Sequence, residues 1–176
     1  AVEGGTSAWS ESGRELEAGS GDVGPSGLET ARGQVKLVSP EELDAAKPVT
    51  VINVEVSTDF SNGHVPGARW VPRGSMEMQI SEIAPDKSAA IAVTCNNGQN
   101  AALAGATLKA LGYQDVSSLD GGMAAWRKSG LAVEQGLPGV MRPPTDVVPS
   151  GPERNFADMM HYLRWETALG DKYAAD

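Results

Sequence analysis

The strongest constraint on this chain is an alternation. From Val35 to Glu134, short runs of apolar and β-branched residues are separated by segments with helical spacing. The strand candidates are Val35–Val38, Val49–Val54, Arg69–Val71, Ala90–Thr94 and Val116–Leu119. Strands spaced by helix-length connections read as parallel βαβ units, because parallel neighbours need a crossover between them. The expected fold is therefore α/β: an open parallel five-stranded sheet with helices on both faces, plus a C-terminal helical extension. Ser39-Pro40-Glu41-Glu42 supplies a helix cap, a first-turn proline and early acidic residues. Met76, Ile80 and Ile83 share a helix face. Residues 99–111 place Leu103, Ala104, Thr107, Leu108 and Leu111 on one stripe and stop at Gly112.

Length and charge narrow the function classes. The 176 residues have room for one ordinary domain and some extra segments. A formal charge of -9 repels nucleic-acid backbones and anionic membranes, so neither is an expected partner. A single cysteine cannot close an intrachain disulfide, and no apolar run reaches the ~18–20 residues that span a bilayer. The opening Ala1-Val2-Glu3 has neither an initiator methionine nor a signal-peptide layout and reads as a cut end. Nothing in the residues fixes the compartment; the working expectation is cytoplasmic.

The chain also repeats itself. Val2–Gly19 aligns without gaps to Leu119–Gly136, with identities at Gly4, Gly5, Ala8, Trp9, Ser12, Gly13, Glu17 and Gly19. The expected organisation follows: residues 1–19 as the closing helix and exit segment of a preceding copy, 20–34 as a Gly/Ser/Pro linker, 35–136 as the full domain, and 137–176 as a proline-rich connection and a C-terminal helix. The alternative is that a Gly-Gly-x-x-Ala-Trp helix entry arose twice for local reasons. In the tail, Asn155 can cap a helix whose apolar residues Phe156, Met159, Met160, Tyr162, Leu163, Trp165, Leu169 and Tyr173 cover so wide an arc that packing against something is expected.

Chemistry is expected where Thr94 ends a strand and Cys95-Asn96-Asn97-Gly98-Gln99-Asn100 leads into the next helix. Such a loop aims backbone N–H groups and a helix N-terminus at one spot, which favours a thiolate and lowers the Cys95 pKa. Gly98 lets the loop curl. The competing reading makes Cys95 a small buried hydrophobe that completes the strand.

Three motifs then carry a resemblance. VINVEVSTDFSNGHVPGA, CNNGQNAALAGATLKALGY and VSSLDGGMAAWRKSGL resemble, in order and spacing, the second strand and turn, the catalytic loop and helix, and the last strand and helix entry of the rhodanese-like family. The resemblance implies a sulfurtransferase in which Cys95 holds sulfane sulfur as a persulfide, taken from a small-molecule donor and given to a thiol or cyanide acceptor. It also implies neighbouring rhodanese-like domains in the same chain, and no metal or cofactor. Asn53 and Glu55 stand where the family often has aspartate and arginine, and the loop carries no basic residue. Substrate anions would then be held by Asn96, Asn97, Gly98, Gln99 and Asn100 together with Arg73 or Arg69. A non-catalytic regulatory module is the second reading. A phosphatase or arsenate reductase would need an arginine where Ala101 stands. His64 is read as a scaffold hydrogen-bonder, Trp126 and Trp9 as core anchors, and His161 has no second ligand at metal spacing.

Overall fold

The structure is a computed structural model describing residues 3–16, 24–46, 48–147 and 156–173, and within the last helix the side chains of 159–168. Five strands, β1 Lys36–Val38, β2 Thr50–Asn53, β3 Arg69–Trp70, β4 Ile91–Thr94 and β5 Val116–Leu119, form one sheet in the order β1-β5-β4-β2-β3. Every pairing is parallel. Helices α1 to α8 span Gly5–Glu11, Leu28–Gln34, Pro40–Ala45, Ser57–Asn62, Met76–Ile83, Gln99–Ala110, Gly122–Lys128 and Phe156–Tyr173. Ser39 caps α3 as expected, and Glu42 completes a reciprocal capping box.

The period-two rule divides the core. Ile91, Val93 and Cys95 point to one face with Met76, Ile80, Ala101, Ala104 and Leu108, whereas Ala92 points to the other with Leu43, Phe60, Met123 and Trp126. Strand β4 is central and buried throughout, so the chain leaving its carboxyl end starts from the most enclosed point of the sheet.

Several elements depart from the sequence expectation. The segment 20–34, read as a linker, contains α2, which packs along α6 with Ala31 buried. Seven residues with Gly33 inside are too few to display a period, so the helix depends on its neighbour. The buried residues of α6 are Ala101, Ala102, Ala104, Gly105 and Leu108, mostly small as a helix held between the sheet and α2 requires, while Leu111, its C-cap, is exposed. At Gly105 a Cβ would lie 2.9 Å from Val35 Cγ1. The stretch 137–147, expected only as a connection, is a strap: Gly139 O accepts from Trp70 N at 3.3 Å, Arg142 pairs with Glu82 at 2.9 Å, and Asp146 Oδ2 accepts from Ser57 N at 2.7 Å.

Helix α1 reproduces α7 in detail. Gly4 and Gly5 have φ of 75° and 63°, against 66° and 59° at Gly121 and Gly122. Trp9 Nε1 donates to Glu15 O at 3.2 Å as Trp126 Nε1 does to Ala132 O at 2.8 Å. Ser12 and Ser129 hydroxyls each donate back to the tryptophan carbonyl. The environments differ: Trp126 is 1% exposed and Trp9 37%, and α1 buries nothing. Met159, Leu163 and Trp165 of α8 are likewise exposed, so the expected packing is not met at these positions. The expected Asn155 cap and residues 17–19 lie outside the described residues. Among those described, no helix is long and apolar enough to cross a membrane, and no group of three His, Cys, Asp or Glu side chains gathers to hold a metal.

Candidate active site

Sheet register builds the site. Asn53 of β2 is paired with Thr94 of β4, and Val93 of β4 with Ser118 of β5. The residues just beyond these strands therefore meet: 95–98 from the centre, 55–59 from one side and 120–124 from the other.

The 120–124 side organises the loop. Met123 N donates to Cys95 O at 2.8 Å and Ala124 N to Asn96 O at 3.0 Å. These are N–H groups of the first turn of α7, which have no partner within their own helix. With its carbonyls engaged there, the loop turns N–H groups toward the sulfur: Gly98 N lies 3.1 Å and Ala101 N 3.2 Å from Cys95 Sγ. Asn97 Oδ1 stands 4.0 Å from Sγ and accepts from Gln99 N at 3.1 Å. Two glycines permit this fit. Gly98 caps α6 with φ 84°, and a Cβ there would lie 3.1 Å from Gly121 N. At Gly122 a Cβ would fall onto the Cys95 carbonyl oxygen and lie 2.6 Å from Gly98 N.

The 55–59 side supplies carboxylates. The backbone N–H of Glu55 donates to Asn53 Oδ1 at 3.0 Å, and its carbonyl accepts from Trp70 Nε1 at 2.8 Å. Held at both ends, Glu55 accepts from Asn96 N with Oε1 at 2.9 Å, and Asp59 Oδ2 accepts from Asn96 Nδ2 at 2.7 Å. Asp59 was missed from the sequence, and Glu55 was noted only as a departure from a family pattern. The available signal was topological, since β2 and β4 are neighbours and residues equally far past their ends must face each other.

Electrostatics depart from the expected lowered pKa. Burial, the largest influence, pushes the Cys95 thiol above its ordinary range; the N–H groups of Ala101, Asn97 and Gly98 pull down, while the Glu55 carboxylate pushes up. Cys95 is 0% exposed, so desolvation of the thiolate outweighs the dipoles aimed at it.

The other expected site residues are unevenly placed. Asn96, Asn97 and Gly98 form the loop; Gln99 and Asn100 are half-buried in the first turn of α6. Arg73 is not brought to the sulfur. Its Nη2 donates to Thr107 Oγ1 at 3.2 Å, six residues past Ala101, whose N–H meets the sulfur, and so roughly 9 Å along the helix at 1.5 Å per residue. Arg69 is exposed on β3. His64 is a scaffold residue: Nδ1 donates to Phe60 O at 2.8 Å, the ring stacks on Phe60, and its backbone pairs with Glu134.

Comparison with known proteins gives a consistent answer. Residues 39–129 match the model of the Rhodanese-like domain. Over 94 residues the chain is 33% identical to thiosulfate sulfurtransferase GlpE of Stutzerimonas stutzeri, covering 52% of this chain and 84% of that protein. The crystal structure of thiosulfate sulfurtransferase from Pseudomonas aeruginosa superposes with a TM-score of 0.66 at 25% identity, covering 92% of this chain and 30% of that one. The polysulfide-sulfur transferase homodimer of Wolinella succinogenes, known from its solution structure, gives a TM-score of 0.54 at 25% identity, covering 61% and 84%.

Two measurements test the site geometry. Gly122→Ala is expected to destabilise the fold by more than ~2 kcal/mol, whereas Gly5→Ala, with the same φ sign and nothing within 4 Å, costs only backbone strain of about 1 kcal/mol. Equal losses in denaturant melts would refute the packing role. For Cys95, the rate of iodoacetamide alkylation is expected to be still climbing at about pH 9, because only the thiolate reacts and its pKa lies above the ordinary thiol range. A plateau below about pH 8 would contradict the balance described.

Proposed function

The chain belongs to the rhodanese-like domain family, and from that membership we propose that it is a sulfurtransferase whose Cys95 accepts a sulfane sulfur, carries it as a persulfide and passes it to a thiol or cyanide. The observation that carries this reading is the convergence of Gly98 N and Ala101 N on the sulfur of the only cysteine. In the first step the Cys95 thiolate attacks the outer sulfur of the donor, forming an S–S bond as the donor's own bond to that sulfur breaks and its electron pair leaves with the donor remnant. In the second step the acceptor attacks the same outer sulfur, and the thiolate returns as leaving group. The N–H groups offer charge-assisted hydrogen bonds to the anionic sulfur at each stage. The similar proteins named for transfer from thiosulfate and from polysulfide support a small-molecule donor. No metal or cofactor enters this scheme.

The enclosure of the sulfur favours a second reading, a regulatory module in which Cys95 only packs. Cys95 is fully buried and belongs to an apolar cluster with Val93, Ala101 and Ala104. Intact-mass analysis after incubation with a sulfane-sulfur donor separates the two. Transfer predicts a gain of about 32 Da that peptide mapping assigns to Cys95 and that Cys95→Ser abolishes in a folded protein, together with thiocyanate formation from cyanide. Absence of the adduct supports the regulatory module.

For residues 1–19 we propose that they close a preceding domain of the same kind. The matching glycine conformations, tryptophan and serine hydrogen bonds of α1 and α7 support this, as does an exposed Trp9 at the position where Trp126 is a core anchor. Trp9→Ala should cost under ~0.5 kcal/mol in the 176-residue chain but about 3–5 kcal/mol in a natural chain extended ahead of Ala1. A small cost in both would overturn the proposal.

A further inference from the structure

The flank of the Cys95 loop carries charge of the wrong sign for a dianionic donor. Glu55 Oε1 is 2.9 Å from Asn96 N, the atom that follows the Cys95 carbonyl carbon, so by covalent geometry that carboxylate oxygen lies within roughly 8 Å of the sulfur. Asp59 is bound to the Asn96 side chain at 2.7 Å, and Asp146 to Ser57 N at 2.7 Å on the same side. Among the described residues, the one lysine or arginine paired with a carboxylate is Arg142, with Glu82, so neither Glu55 nor Asp59 is neutralised by such a cation. Loop residues 96–101 contain no lysine or arginine, and Arg73, which follows β3, is held by Thr107. A charge of -9 over the whole chain adds no compensating field.

Resting on the sulfur-transfer reading, we propose that Glu55 and Asp59 are specificity-determining residues that make Cys95 take sulfur from donors with at most one negative charge, such as thiosulfonates and alkyl persulfides, in preference to thiosulfate. The N–H groups facing the sulfur stabilise the single charge that moves from thiolate to persulfide. The second charge of a dianion meets Glu55 and Asp59 instead. Their side chains are half-buried, so the repulsion acts inside one Debye length, ~8–10 Å at moderate ionic strength, and is weakened by added salt.

Thiosulfate and methanethiosulfonate isolate this effect, because a methyl group replaces one charged oxygen and little else changes. Thiosulfate delivers its outer sulfur and leaves as sulfite; methanethiosulfonate delivers its outer sulfur and leaves as methanesulfinate. Neither step needs an oxidant or reductant. The readout is the ratio of kcat/KM for thiosulfate to that for methanethiosulfonate, in which changes of thiolate fraction cancel. In Glu55→Gln this ratio should rise about five- to tenfold at low salt, the size of one unit-charge interaction across such a distance in a half-exposed site. The substituted amide keeps an oxygen to accept from Asn96 N, which preserves the loop. Asp59→Asn should raise the ratio in the same direction. In the unsubstituted chain, added salt should raise the thiosulfate rate more than the methanethiosulfonate rate. An unchanged ratio in both variants, or a thiosulfate rate that falls with salt, would overturn the inference while sulfur loading persists. Failure of both donors to load Cys95 would instead overturn the sulfur-transfer reading, and the inference with it.

Discussion

The site depends on how the peptide groups of one loop are shared out. The carbonyls of Cys95 and Asn96 are taken by Met123 N and Ala124 N, leaving neighbouring N–H groups to face the sulfur. A helix start needs acceptors and the loop needs donors for its carbonyls, so one arrangement satisfies both. It is possible only because Gly122 has no Cβ and adopts φ 59°, a conformation glycine enters without cost. The Gly-Gly pair is thus part of the sulfur's surroundings although it touches no sulfur.

Charge works against the same dipoles. A nest of N–H groups lowers a thiol's pKa when the thiolate is also solvated, but here water is excluded and Glu55 faces the loop from the β2 side. Burial therefore dominates. The sequence reading credited the loop geometry with lowering the pKa because geometry is legible in a strand-loop-helix pattern, whereas enclosure is not.

The same distinction explains the remainder of what could be read. Strands announced themselves through β-branched runs, and all five lie within a residue or two of their expected positions; Ser39 announced α3 through its capping chemistry. Helix α2 was silent, being short, interrupted by Gly33 and dependent on α6. The strap at 137–147 was silent too, since its bonds to Trp70, Ser57 and Glu82 join segments far apart in sequence. Within the candidate site, the gathering of Cys95, Asn96, Asn97 and Gly98 in one loop was legible from their position after β4. The partner of Arg73 was not legible, because nothing local reveals that Thr107 claims its guanidinium. Asp59 required knowing which strands are neighbours.

Because the loop's carbonyls are satisfied by residues of α7, the sulfur's surroundings are not a local structure. A nascent chain that had emerged only as far as β4 and α6 would hold Cys95 in a loop with unpaired carbonyls and no reason to aim its N–H groups inward. Closing that contact requires β5 to add beside β4 and α7 to follow it, which carries the entropic cost of closing the intervening chain. The anion-stabilising cradle around the cysteine is therefore complete only with β5 and α7 in place, so the site and this end of the fold stand or fall together.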